Sequence, residues 1–369
     1  MAEPSLLIVA GRWRTDFAMM VMDRAGLPVV SMKPTSRRGR LLLTTQPLTE
    51  TQPMSSPTAH RAATDLPARD RPDPYQLVTD AIIAHLERGV VPWRCPWNRE
   101  VGQPRNFHTG LPYRGANVML LGCRFADSPW WMTYRQAFAR GGHVRKGERG
   151  AMVVKFGTVE KRTEAASPSS EAPSIPKPRR FLRTFTVFNA AQIEGIAFPA
   201  PPSEPEWSQE ERHARAEQLV AGMATPPAIR FGSGARACYR PHADEIEMPP
   251  RALFDSLDAY FQTLFHELGH ATGHPNRLNR ETLNKHDEFG GLVYSQEELV
   301  AEMCAAFVGM EAGIVHDRHE QSASYLDAWL SVLKVRDHRR WIVQAASQAT
   351  KAADFILNRS QQAAPPDAP

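Results

Sequence analysis

The sequence predicts an α+β fold in two domains, and three observations carry that prediction. Between residues 73 and 198, amphipathic helical segments alternate with runs rich in β-branched and aromatic residues. A proline cluster from Pro199 to Pro205 follows, and beyond it residues 208 to 358 read as mostly helical with three short strand candidates. The charge divides at the same place. Residues 73–198 hold 18 Lys and Arg against 10 Asp and Glu, a balance of +8, whereas residues 204–358 hold 15 against 23, a balance of −8.

Residues 1–72 read as mostly disordered or as an extension upstream of a start at Met54, because periodicity is weak and Thr, Ser and Pro crowd residues 44–58. The first amphipathic helix is expected over Tyr75 to Arg88, where Leu77, Val78, Ile82, Ile83 and Leu86 share a face and Gly89 supplies the stop. Helices follow over about Ala116 to Phe125 and Thr133 to Arg140, ended by Gly141-Gly142. Ala151 to Lys161 and Arg180 to Phe188 read as paired strands, joined by a Pro/Ser-rich flexible insert, residues 163–178. Residues 199–207 form a linker. In the second domain the strand candidates lie around Ile229, Ala237 to Tyr239 and Glu245 to Met248. Long helices are expected over Ser256 to Gly273 and Ser295 to Gly313, with further helices to Asn358 and a disordered tail, 359–369. The opposite charges of the two halves predict that they dock.

Composition excludes several classes. With 42% hydrophobic and 23% charged residues the chain is of ordinary globular type. Its four cysteines are far apart and form no CxxC pair, which argues against a disulfide framework or a zinc ribbon and suits a reducing, cytoplasmic setting. No run approaches the roughly 18 apolar residues of a membrane span.

The strongest chemical signal is His266-Glu267-Leu268-Gly269-His270, an HExxH within a helix. Residues four apart share a helical face, so both imidazoles can reach one ion while Glu267 takes a proton from the water it binds. Zinc needs a third protein ligand, and Glu298 and Glu302, four apart on the next long helix, offer it. In HExxH peptidases with a Glu ligand, the ligand opens an ExxxD-like pair whose second acid hydrogen-bonds a ligating His. Glu298 is therefore the expected ligand and Glu302 the supporting acid, with the reverse assignment open and Glu297 turned elsewhere. His274 competes as a ligand but lies about 12 Å along a continued helix from His266. Tyr294 is a candidate hydrogen-bond donor to a developing oxyanion. Zn²⁺ and Mn²⁺ both suit these ligands.

In the basic half, Trp93, Trp97, Trp130 and Trp131 are interleaved with Arg94, Arg99, Arg105, Arg114, Arg124 and Arg135. Aromatics that stack bases beside cations that neutralise phosphates suit single-stranded nucleic acid, and the alternative is that the tryptophans form the core of this domain. Arg145, Lys146, Arg149 and Lys155 are candidate phosphate contacts, and the same residues also fit a solvated turn and strand face.

The chain resembles the ArdC-type antirestriction proteins over about residues 73–355. In the first half the resemblance rests on Val91-Pro-Trp-Arg-Cys-Pro-Trp97, Pro112-Tyr-Arg-Gly-Ala-Asn117, Lys146-Gly-Glu-Arg-Gly150 and Phe185-Thr-Val-Phe-Asn-Ala-Ala-Gln192. In the second it rests on Phe265 to His274, Arg277-Leu-Asn-Arg280, Phe289-Gly-Gly and Glu297 to Glu302. It implies a single-strand-DNA-binding domain joined to a mostly helical zincin-like metallopeptidase domain, in a mobile-element protein that helps incoming single-stranded DNA escape restriction. It adds Tyr113, Asn117 and Phe188 to the DNA-facing candidates, and a protein substrate or restriction enzyme as a further partner. The alternative is a non-enzymatic DNA-binding or decoy protein whose metal only braces the fold.

Overall fold

The computed structural model describes residues 8–9, 72–94, 101–159, 179–200, 207–284, 292–314, 323–335 and 338–359. The expectations for residues 1–7 and 10–71, the insert 163–178, the core of the linker (201–206) and the tail beyond 359 lie outside the described residues.

In chain order the first half contains β1 (Ile8–Val9), α1 (Pro74–Leu86), β2 (Arg105–Asn106), α2 (Ala116–Gly122), β3 (Trp130–Thr133), α3 (Tyr134–Ala139), β4 (His143–Val144), β5 (Ala151–Val159), β6 (Arg179–Asn189) and β7 (Ile193–Glu194). Pro74 opens α1, where its missing N–H and fixed φ cost nothing. The helix buries Val78, Thr79, Ile82 and Leu86, and Gly89, at φ +77°, turns the chain away. Four strands form a sheet in the order β2-β3-β6-β5. Its long arm is the antiparallel β5–β6 ribbon, in register from Ala151 opposite Val187 to Val159 opposite Arg179. Some bounds differ from expectation. The helix at Ala116 ends at Gly122, three residues early, and Phe125 takes a left-handed φ of 48°. Trp130 and Trp131 belong to a strand, so they point to opposite faces of the sheet.

The second half contains α4 (Gln209–Ala221), β8 (Ala228–Phe231), β9 (Arg236–Arg240), β10 (Glu245–Met248), α5 (Leu257–Ala271), α6 (Glu281–Asn284), α7 (Leu292–Ala312), α8 (Ala323–Leu333) and α9 (Trp341–Ile356). Ser208 starts α4 with a reciprocal capping box to Glu211. The sheet runs β1-β9-β10-β8, with β10 parallel to β8 and antiparallel to β9. Ser256 caps α5 by accepting a hydrogen bond from the Ala259 amide, and ten of its fifteen residues are buried, because α5 lies between the sheet and the other helices.

Helix α7 packs on both α5 and α9. At the α5 crossing a Cβ on Gly269 would stand 3.1 Å from the Ala301 Cα, so the glycine permits an unusually close approach. One continuous apolar core runs from Val78, Ile82, Trp93 and Met119 of the first half to Leu268, Val300, Trp329 and Ala346 of the second. The halves also meet through ions. Arg114 pairs with Asp354 of α9, and Arg94 lies 4.0 Å from Glu302 of α7. Among the described residues no helix is long and apolar enough to cross a membrane.

Candidate metal centre

The last two turns of α5 carry His266, Glu267 and His270, exposed by only 6%, 1% and 1%. The close α5–α7 crossing brings Glu298 to them. His266 Nε2 stands 3.0 Å from His270 Nε2, the Glu298 carboxylate stands 3.4 Å from His266 Nε2, and it stands 3.5 Å from His270 Nε2. These three side chains form the metal-capable group among the described residues. Three ligands about 2.0–2.1 Å from a tetrahedral ion would be about 3.4 Å apart, so the observed triangle fits such an ion. A second observation agrees. Glu267 Oε1 is buried and has no hydrogen-bond partner among the described residues, as a base waiting on a bound water would be.

The electrostatics match the geometry. Burial pushes the Glu267 carboxyl up against the pull of His266 and His270. Burial alone would depress His266, but its Glu298 hydrogen bond and the charges of Glu298, Glu267 and Glu302 outweigh it and hold the imidazole at about 9. Metal binding requires that imidazole to release its proton.

The acid that the structure places behind His270 is Glu297 and not the expected Glu302. Glu302 faces Arg94 at 4.0 Å, whereas Glu297, turned elsewhere by the sequence reading, sits with Oε1 3.5 Å from His270 Nδ1. Glu297 and Glu298 are one residue apart and therefore about 100° apart around α7. One meets the far nitrogen of His270 while the other meets the near nitrogens of both imidazoles. Glu297 is fixed in turn by the buried Arg280, which also donates to Thr272 Oγ1 at 2.5 Å and to the carbonyls of Gly269 (2.6 Å) and His270 (3.3 Å). Thr282 adds a third hydrogen bond to Glu297. Despite its burial, the Arg280 charge, the neighbouring His270 imidazole and the Arg280 hydrogen bonds hold Glu297 down at about 2. Arg280 therefore both satisfies the last carbonyls of α5 and fixes the carboxylate that stands behind His270. In the sequence the sign of this is the Arg277-Leu-Asn-Arg280 motif, whose pattern alone assigns it no role. Arg277 does similar work nearby, donating to the Ala271 carbonyl and pairing with Asp244.

His274 falls past the end of α5 and is outside the ligand group. Tyr294 lies inside α7, one turn before Glu298; the expectation for its hydroxyl lies outside the described side chains.

Several DNA-facing candidates are placed where they cannot stack a base in this conformation. Trp93 is 1% exposed, donates to the Tyr325 hydroxyl at 3.3 Å and packs edge-on against Trp329. Trp131 is 3% exposed, because alternation along β3 aims it at Leu121, Val153 and Val187. Arg94 is buried with its guanidinium 4.2 Å above the Tyr325 ring. Asn117 grips the edge of β5, donating to the Val154 carbonyl and accepting from its amide, both at 2.8 Å. Tyr113 packs on the Trp131 cluster and accepts a hydrogen bond from Asn106, while Phe188 packs against Met132, Ala137 and Ile193. Trp130, half-buried, donates to the Pro199 carbonyl at 3.0 Å. At the surface lie Arg114, paired with Asp354, Arg145, paired with Glu148, and Lys146 and Lys155. Trp97 lies outside the described residues.

The fold and site define a two-domain protein whose C-terminal half carries an HExxH…E centre of the zincin-like kind. Residues 214–348 match the zincin-like metallopeptidase family and residues 72–188 match the N-terminal domain of anti-restriction factor ArdC. The metal-free crystal structure of the antirestriction ArdC protein from plasmid R388 is 37% identical, with a TM-score of 0.59, covering 77% of this chain and 96% of that one. Its Mn(II)-bound structure gives 0.60, covering 79% and 100%. The chain belongs to the ArdC antirestriction family. An uncharacterised protein, y4eC, of Sinorhizobium fredii is 35% identical over 79% of this chain and 94% of its own length. DNA primase TraC of Escherichia coli is 37% identical over 78% of this chain, which spans only 27% of that primase. The zincin-like domain implies a divalent metal.

Proposed function

We propose that the chain binds single-stranded DNA through its N-terminal domain and holds Zn²⁺, or Mn²⁺, on His266, His270 and Glu298, in the service of protecting incoming DNA from restriction. The observation that carries the metal reading is the 3.0–3.5 Å triangle of donor atoms beside the partnerless Glu267 Oε1. A divalent ion held by these three residues would supply Lewis acidity for hydrolysis. Glu267 would accept at Oε1 the proton of a water adding to a peptide carbonyl and return it to the amine nitrogen as the C–N bond breaks. Glu297 orients His270 from behind, and Arg280 keeps Glu297 ionised. For the DNA reading, support comes from the family match at 72–188 and the +8 balance of residues 73–198.

The deep burial of Glu267 favours a second reading, in which the metal braces the fold and no substrate enters. Glu267→Gln separates the two. Under the hydrolytic reading the variant keeps one metal equivalent and loses both proteolysis and protection of transferred DNA; under the structural reading protection survives. A salt titration of the full chain against a labelled single strand and its duplex tests the DNA half. Salt-sensitive preference for the single strand supports it, and absence of binding removes it.

A further inference from the structure

With Trp93 and Trp131 enclosed, a strand of DNA needs another surface of the domain, and the outer half of the β5–β6 ribbon has the required chemistry. Residues opposite each other in an antiparallel pair share a face. On one face of this ribbon Val153, opposite Phe185, and Val187 are buried with Leu121 and Trp131. Beyond them the same face emerges into solvent. Phe185 is 41% exposed, and Lys155 and Arg183, opposite each other, are both exposed. Phe181 then lies across Gly157, where a Cβ would stand 2.4 Å from its ring, and the Arg183 guanidinium sits 4.7 Å from that ring's centroid. The glycine thus seats Phe181 against the ribbon. Alternate residues are about 6.6 Å apart along a strand, so the face reads aromatic, paired cations, aromatic over about 13 Å. Neither strand contains an acidic residue.

We propose that this face, Phe185, Arg183 with Lys155, and Phe181, is a single-strand DNA-binding platform of the N-terminal domain, the rings stacking bases and the two cations meeting the phosphate between them. Stacking is tolerant of sequence, and cations set between aromatic rings suit a flexible polyanion better than the apolar face of a protein partner. The proposal rests on the reading that the chain binds single strands.

The test uses the full chain and a fluorescently labelled oligo(dT), read by anisotropy across a salt series, with thermal melting to show that each variant is folded. Phe185→Leu, which keeps an apolar side chain and removes the ring, is expected to weaken binding about 5- to 150-fold, and Phe185→Trp to keep it. Arg183→Ala and Lys155→Ala should each reduce the slope of log affinity against log salt by about 0.7. Arg230→Ala, on the second domain, should change nothing. Full affinity and unchanged slope in the folded ribbon variants would overturn the proposal while leaving single-strand binding intact. Absence of binding by the unaltered chain would instead remove the reading on which the proposal rests.

Discussion

Arg280→Met strikes the interaction on which both the end of α5 and the orientation of His270 depend. The guanidinium is 2% exposed, as is the Glu297 carboxylate it pairs with. It also donates to Thr272 Oγ1 and to the carbonyls of Gly269 and His270. Removing it strands a buried carboxylate with Thr282 as its remaining donor at hydrogen-bond distance, at a cost of about 3–5 kcal/mol. With a urea dependence of about 3 kcal/mol per molar, the unfolding midpoint of the metal-free protein should fall by about 1–1.7 M. Zn²⁺ affinity should fall a further 10- to 100-fold, because His270 loses its braced partner. The double variant Arg280→Met/Glu297→Met separates the two effects. Replacing both charges with apolar groups should recover most of the stability, and the metal affinity should stay low. A loss under about 1 kcal/mol in the single variant, or a double variant no more stable than the single, would refute the reasoning.

Gly269→Ala should force α5 and α7 apart, since its Cβ would meet the Ala301 backbone at 3.1 Å. Overpacking of about 1–3 kcal/mol outweighs the gain of about 1 kcal/mol in helix propensity, and isothermal titration should show metal affinity down about tenfold. Asp244, though partly desolvated, is held below the ordinary carboxylate range by Arg277 and Tyr239. Asp244→Asn should therefore cost about 2 kcal/mol at neutral pH. Because a depressed pKa stabilises above the unfolded value of 3.8, urea melts should show that difference shrinking as pH falls below about 4. Burial pushes Cys123 and Cys304 up to about 12 and raises Cys238 as well. In a Cys95→Ser background, thiol titration at pH 8 should find no reactive cysteine in the folded chain and three in guanidinium.

The sequence made the local part of the site legible and hid the part that depends on packing. His266, Glu267 and His270 could be placed because an i,i+4 pair on a helix is fixed by helix geometry alone. Glu298 followed from the ligand count of zinc and the acidic turn of the next helix. The role of Glu297 could not be read in the same way. It depends on where α7 crosses α5, and that crossing is set by the contact of Gly269 with Ala301, 32 positions apart. Arg280 depends on the chain doubling back after Thr272, with the Leu278 and Arg280 amides returning to the Thr272 and Gly273 carbonyls. The burial of Trp93 and Trp131 was hidden for a related reason. Composition cannot distinguish a stacking platform from a core, and the alternation of β3 that buries Trp131 appears only once the strand is paired with β6. The β5–β6 ribbon was legible as paired strands, but its exposed face follows from α2 and Trp131 covering only its inner half.

The central claim, that His266, His270 and Glu298 hold a divalent metal with Glu297 in support, is tested most directly by metal stoichiometry after dialysis against buffered Zn²⁺. Unaltered chain and Glu267→Gln should retain one equivalent. His266→Ala, His270→Ala and Glu298→Ala should each retain almost none, Glu297→Gln should retain it with weaker affinity, and Glu302→Gln should be close to the unaltered chain. Retention of a full equivalent by Glu298→Ala, with its loss in Glu302→Gln, would contradict the account and move the third ligand one turn along α7.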